Sequence, residues 1–76
     1  MIPPRAPSRA REQFDAWKAA TGNTARDLAK MLDVTEQTVS RWFTGRLRPS
    51  WMAQLAMEHV TGRAITVDGW RQEAAP

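Results

Sequence analysis

The sequence predicts an all-α fold, a compact arrangement of four short helices with a basic N-terminal arm and a short extended C-terminal tail. Apolar residues recur at the three- and four-residue spacing of amphipathic helices, and Ser or Thr stands before each such run as a candidate N-cap. Glycine follows the first, third and fourth runs, where helices commonly end. At 76 residues the chain has the size of one small domain.

The first two helices are expected before residue 33. Ser8 is a candidate N-cap for a helix that continues to Ala20. Thr24 lies three residues before Asp27, an arrangement that resembles a capping box with Asp in place of Glu. The second helix therefore starts after Thr24 and ends before Asp33.

Two further helices follow after short connections. Thr35 caps a predicted helix over Glu36–Thr44, and Gly45 occupies the position of a C-terminal glycine. Ser50 caps the last helix, which is expected over Trp51–Thr61 before another glycine.

The two ends of the chain have a different character. Residues 1–9 contain three of the five prolines, so we expect a flexible basic arm there. A helical domain is expected over 10–63. In the tail, 64–76, Ile65 and Val67 alternate with polar residues, which fits a short strand or an ordered tail.

Composition narrows the classes of function. There is no cysteine and only one histidine, His59, so we expect no disulfide, no metal site, no cofactor and no catalytic centre. No apolar run approaches the roughly 20 residues of a membrane helix, and the N-terminus lacks a secretory signal, which together predict a cytoplasmic protein without a membrane partner. The net charge of +3 is the difference between eleven basic and eight acidic residues. Nine of the basic residues are arginines and two are lysines, a balance that suits phosphate.

The predicted third helix has two distinct faces. Val39, Trp42 and Phe43 fall together at helical spacing and should face the core. The opposite face is polar, with side chains of the types that read base edges in a major groove. Its members are Gln37, Ser40, Arg41 and Thr44, with Glu36 on the flank. The alternative is an ordinary solvated helix face.

The connection between the second and third helices decides between these interpretations. It is too short for antiparallel packing, so the two helices must cross steeply, and Ala29 provides the small side chain that such a contact requires. This pattern is typical of a helix-turn-helix.

The segment TARDLAKMLDVTEQTVSRWFTGRLRPS, Thr24 through Ser50, resembles the helix-turn-helix of the Cro and phage-repressor superfamily. The later segment HVTGRAITVDGW is similar, more loosely, to small Cro-like and YdaS-like regulators of phage and toxin-antitoxin loci. Together the two resemblances cover about residues 14 to 70, and they imply a lambda-repressor-like fold.

The resemblance implies a role for individual residues on double-stranded DNA. The second helix would lie across the phosphate backbone and the third would enter the major groove. The implied base readers are Glu36, Gln37, Ser40 and Arg41. The implied phosphate contacts are Thr24, Thr44, Arg46 and Arg48. Two positions depart from the family pattern: Ala25 replaces a common glutamine, and Asp33 replaces the usual turn glycine.

The basic arm supplies Arg5, Arg9 and Arg11. These arginines either reach into an adjacent minor groove, as extended arms of DNA-binding domains do, or form a solvated tail that adds positive charge.

The last helix has apolar residues on more than one face, which suggests a second subunit. In resembling proteins the positions of Trp51 and Met57 point inward, which leaves another stripe and the tail for a homodimer. The candidate interface residues are Met52, Leu55, His59, Ile65, Val67 and Trp70. The alternative is that the tail folds back over its own core.

These observations predict a sequence-specific transcriptional regulator, a repressor that binds an inverted-repeat operator as a homodimer. The alternative is a protein-interaction module, an antitoxin or anti-host-defence factor that uses the same fold mainly to bind a protein partner. A phage or toxin-antitoxin setting is implied by the resemblance alone.

Overall fold

A computed structural model describes residues 8–71 of the chain. Helices α1 to α4 are followed by one turn of 3-10 helix, and the part of the chain described has no strand. The segment after α4 is therefore irregular and not a strand. The elements are α1 (Ser8–Thr21), α2 (Ala25–Leu32), α3 (Glu36–Phe43), α4 (Trp51–Val60) and the 3-10 helix (Asp68–Trp70).

The starts of α2, α3 and α4 follow the predicted caps, whereas Ser8, predicted as an N-cap, is itself the first residue of α1. The hydroxyl of Thr24 accepts a hydrogen bond from the backbone of Asp27, whose carboxylate in turn accepts from the Thr24 backbone, which completes the capping box. Thr35 and Ser50 accept from the backbone N–H three residues on, at 3.1 Å in both cases. Each cap satisfies a backbone donor that has no partner within its own helix.

Asp33 closes the turn between α2 and α3 in a left-handed conformation, with φ 57° and ψ 44°. Its backbone N–H donates to the carbonyls of Ala29 and Lys30. Asp tolerates this region better than most residues that have a side chain, so the turn keeps its shape without glycine. Ala29 is buried, as the close approach of the two helices requires.

The core lies among the helices and includes three stacked or tilted aromatic pairs. Phe14 of α1 stacks on Phe43 of α3 with ring centroids 3.9 Å apart and planes 6° apart. Phe43 also contacts Trp70, at 4.9 Å between centroids. The fully buried side chains include Leu28, Val39, Met57, Ile65 and Trp70.

The N-terminal boundary differs from the prediction. Residues 8 and 9, assigned to the flexible arm, belong to α1, as does Arg11. Arg9 is held by an ion pair with Asp68, with 2.7 Å between Nη1 and Oδ2. Arg9 and Arg11 are therefore helical residues and not members of an extended arm, while Arg5 lies outside the described residues.

The C-terminal segment, residues 64–71, folds back on its own protomer. Gly62 and Arg63 both have positive φ and reverse the chain after α4. Ile65 and Trp70 are then 0% and 1% exposed, so they are core residues and do not face a second subunit as expected. Val67 is half-buried. The boundary predicted at residue 63 is not a structural one, because the core continues past it.

Helix α4 buries a different set of side chains from the one expected. Met57 is buried, as predicted, but Trp51 is 61% exposed. Gln54 lies inside in its place, and its amide donates to the carbonyl of Pro49 at 3.0 Å. The internal hydrogen bond allows a polar side chain to occupy a core position.

Candidate nucleic-acid interface

The outer face of α3 is open to solvent along its length. Val39, Trp42 and Phe43 are buried and fix the rotation of the helix about its axis. The exposed residues of this helix and its C-cap are Glu36, Gln37, Ser40, Arg41 and Thr44, which are the residues predicted to share the outer face. The structure therefore brings the predicted base readers together on one accessible surface.

Thr44 has its hydroxyl proton engaged within the helix. Its Oγ1 donates to the carbonyl of Ser40 at 2.9 Å, and its backbone N–H donates to the same carbonyl at 3.0 Å. A phosphate oxygen only accepts hydrogen bonds, so Thr44 has to release an internal bond before it can donate to one. This weakens the predicted phosphate contact of Thr44.

Thr24 is similarly engaged at the start of α2. Its backbone N–H and its hydroxyl donate to the same carboxylate oxygen of Asp27, at 2.8 and 3.1 Å. The hydrogen bond from the Thr24 backbone is the main reason that the pKa of Asp27 lies below its usual value. An anion therefore already occupies the donors that Thr24 was predicted to offer to a phosphate.

The loop after α3 presents two arginines. Gly45, with φ 81°, turns the chain, and the backbone N–H of Arg46 and of Leu47 then donate to the carbonyl of Arg41. Arg46 and Arg48 are exposed and pair with no carboxylate of residues 8–71. Their guanidinium groups are thus available to an anion at the C-terminal end of α3.

A groove between α1 and α3 adds basic residues on the other side. Arg11 and Lys18 line it from α1, and Ser40 and Thr44 line it from α3. Lys18 lies 4.4 Å above the Phe14 ring, and its Nζ is 3.5 Å from a carboxylate oxygen of Asp15.

Lys18 was missed by the sequence analysis. The available signal was its spacing of four residues from Phe14, which places the ammonium group beside a core residue at the edge of α3.

His59, the single histidine, is exposed on α4. Residues 8–71 contain no group of three or more potential metal ligands, and none of their helices has the length and apolar character needed to cross a bilayer.

The fold and the exposed polar face are typical of one class of protein, the helix-turn-helix DNA-binding regulators. A family model described as helix-turn-helix matches residues 18–50, which comprise the end of α1, α2, α3 and the following loop. Residues 18–50 are thus similar to the helix-turn-helix family. No curated protein and no solved structure matched the chain in the corresponding comparisons.

Proposed function

We propose that the protein is a sequence-specific repressor that acts in the cytoplasm and binds its operator with α3 in the major groove. The observation that carries this proposal is the exposed face of α3, which has only polar side chains. Arg46 and Arg48 follow it in the next loop, and Arg11 and Lys18 lie with Asp15 across the groove beside it. A solvated helix face needs no cations on both sides.

The base-reading residues are assigned by their hydrogen-bonding capacity. Arg41 has two parallel donors for O6 and N7 of guanine, and Gln37 has the donor and acceptor that adenine requires. Ser40 accepts or donates, and Glu36 accepts from the amino group of cytosine. All four side chains are exposed on or beside the same face, so a single approach of α3 brings them to the base edges.

The phosphate contacts are assigned to Arg46 and Arg48 after α3 and to Arg11 and Lys18 beside it. Thr24 and Thr44 contribute only if their internal hydrogen bonds are exchanged for bonds to phosphate. With four cationic contacts per protomer, log K should fall with log[salt] with a slope of about −3.6 for each half-site.

Selection from a pool of random duplexes tests the proposal. We expect sequencing of the bound pool at moderate salt to recover an enriched inverted repeat. A pool without enrichment contradicts operator binding and favours a protein partner.

Arg41→Ala tests the assigned role of that side chain. We expect it to relax the preference at one base-pair position by about 1–3 kcal/mol. Arg63→Gly is the matched control, since it removes the same charge from an exposed position after α4 whose positive φ suits glycine. An equal loss of affinity for all sequences on Arg41→Ala would make Arg41 a phosphate contact instead.

The homodimer is proposed from an exposed apolar surface on α4 and the loop before it. Leu47, Trp51 and Met52 are 45%, 61% and 71% exposed, and Leu55 lies one turn further along the helix at 37%. Large apolar side chains grouped in this way mark interaction surfaces. To read two half-sites one helical turn of DNA apart, a two-fold partner has to bring the two copies of α3 to a separation of about 34 Å.

Sedimentation analysis with and without the selected duplex tests the homodimer. We expect one duplex to carry two protomers. A single protomer on the full inverted repeat contradicts the paired arrangement.

A further inference from the structure

The C-terminal segment is a close neighbour of α1. The backbone of α1 approaches that of the 3-10 helix Asp68–Trp70 at more positions than it approaches that of α2, α3 or α4. Its N-terminal half is also tied to this segment by the ion pair between Arg9 and Asp68. The orientation of α1 on the helix-turn-helix therefore depends on residues that lie outside the matched family segment, 18–50.

A side-chain amide forms the most specific part of this contact. Gln13 Nε2 donates to Thr66 Oγ1 at 3.0 Å, and the Thr66 backbone N–H donates to Gln13 Oε1 at 3.0 Å. The backbone N–H of Gly69 donates to the same hydroxyl at 3.0 Å. Because the donor and the acceptor of the amide are both used, only one orientation of Gln13 satisfies the contact.

The contact leaves no room for a side chain at position 69, where the chain has glycine. A Cβ atom at position 69 would clash with Oε1 of Gln13 and lie 3.0 Å from its Cδ. Alanine there would displace the Gln13 amide from Thr66. Position 69 therefore offers a substitution that acts on the contact with α1 and on no residue of the proposed DNA-binding surface.

Trp70 connects the same segment to α3. Its ring is tilted against Phe43, which stacks on Phe14 of α1. The C-terminal segment thus contacts both walls of the groove that contains Arg11 and Lys18 on one side and Ser40 on the other.

We propose that residues 64–71 position α1 for DNA binding, with Gln13, Thr66 and Gly69 as positioning residues. The segment fixes how far Arg11 and Lys18 lie from α3. With this spacing, a phosphate strand that borders the major groove contacts both cations while α3 lies in the groove. This inference rests on the proposed function, because its consequence is measured on duplex DNA.

Gly69→Ala and Gln13→Ala test the proposal, with Val67→Ala as the matched control. Val67 belongs to the same segment but is not among the residues that pack against the core cluster. Each variant is first checked for helical content by circular dichroism at low temperature. Binding to the duplex selected by the wild-type protein is then measured over a range of salt concentrations.

We expect both test variants to bind about tenfold more weakly at 0.1 M salt, with a salt slope smaller in magnitude by about 1 to 2 for each half-site. Val67→Ala should retain the wild-type slope. A purely structural role reduces the folded fraction and leaves the slope unchanged, so a folded Gly69→Ala protein with the wild-type slope overturns the proposal. If Gly69→Ala does not fold, Gln13→Ala decides, because it removes the hydrogen bonds without adding an atom that clashes.

Amide hydrogen exchange separates this proposal from the proposed function. We expect Gln13→Ala to accelerate exchange in α1 more than in α3. If the wild-type protein binds no duplex, operator binding is wrong, and the exchange comparison still shows whether the segment holds α1. If exchange in α1 is unchanged while the wild-type protein binds normally, the positioning role alone is wrong.

Discussion

The carboxylate of Asp27 makes the stability of the fold depend on pH. Its pKa is lowered first by the backbone hydrogen bond from Thr24, then by the hydroxyl of the same residue. A group whose pKa is lower in the folded than in the unfolded protein stabilises the fold. This stabilisation is complete above the pKa of the unfolded state, which is about 3.9 for Asp, and it is lost as the pH falls through the pKa of the folded state. The capping box is therefore acid-sensitive.

Asp27→Asn tests this dependence, because the amide has a similar shape and does not titrate. We expect the variant to be less stable than wild type by a constant amount above about pH 5, with the difference shrinking in stronger acid. Urea unfolding from pH 7 to pH 3 measures it. A difference that grows on acidification would contradict the sign of the pKa shift.

The side chain at position 33 determines the stability of the turn between α2 and α3. It adopts φ 57° in the turn between α2 and α3, a conformation that alanine tolerates poorly. We expect Asp33→Ala to lower the free energy of unfolding by about 1 kcal/mol, and Asp33→Gly to cause no comparable loss. Denaturant unfolding of the two variants provides the comparison. Equal stability of Asp33→Ala and Asp33→Gly would show that the turn relaxes to another conformation.

At the scale of elements, the stack of Phe14 on Phe43 joins α1 to α3. Alanine at either position would cost about 3–5 kcal/mol, which approaches the whole stability of a small domain. Leucine is the better probe because it keeps most of the apolar volume. A double-mutant cycle of Phe14→Leu and Phe43→Leu should give a coupling energy of about 0.5–1.5 kcal/mol. Strictly additive losses would indicate that the rings contribute only through their burial.

Local chemistry made the helix starts and the outer face of α3 predictable. Thr24, Thr35 and Ser50 cap helices through atoms within three residues, so the sequence pattern contains all that is needed. Helix α4 was harder because apolar residues surround it. Trp51 was expected inside, and the burial of Gln54 depends on a hydrogen bond to Pro49 that no periodicity reveals.

Contacts between distant residues were not predictable in the same way. The sequence left open whether the tail joins its own core or a second subunit, because either arrangement buries Ile65 and Trp70. The contact between Gln13 and Thr66 joins residues 53 positions apart and depends on how the chain turns after α4. The spacing of Lys18 from Phe14 was a local signal, but its place in the groove beside α3 follows from the position of α1.

At the scale of the whole molecule, substitution of Trp51 should affect association of protomers but not the stability of the monomer. The side chain is 61% exposed in the protomer, so Trp51→Ala should change the free energy of unfolding of the monomer by no more than about 0.5 kcal/mol. The dimer should dissociate more readily if the side chain is buried against a second copy. Sedimentation at a series of concentrations measures the second effect and thermal unfolding at low concentration the first. Unchanged association would remove Trp51 from the proposed interface.

The ion pair between Arg9 and Asp68 has a topological consequence, since it brings the two ends of the described chain side by side. A short linker from residue 71 to residue 8 would close the backbone into a ring, and new termini could be opened at the exposed Gly22. Such a circular permutant would make the contact between α1 and residues 64–71 local in sequence. It should fold faster than the natural chain order, because the loop closure that this contact now requires would be built into the connectivity.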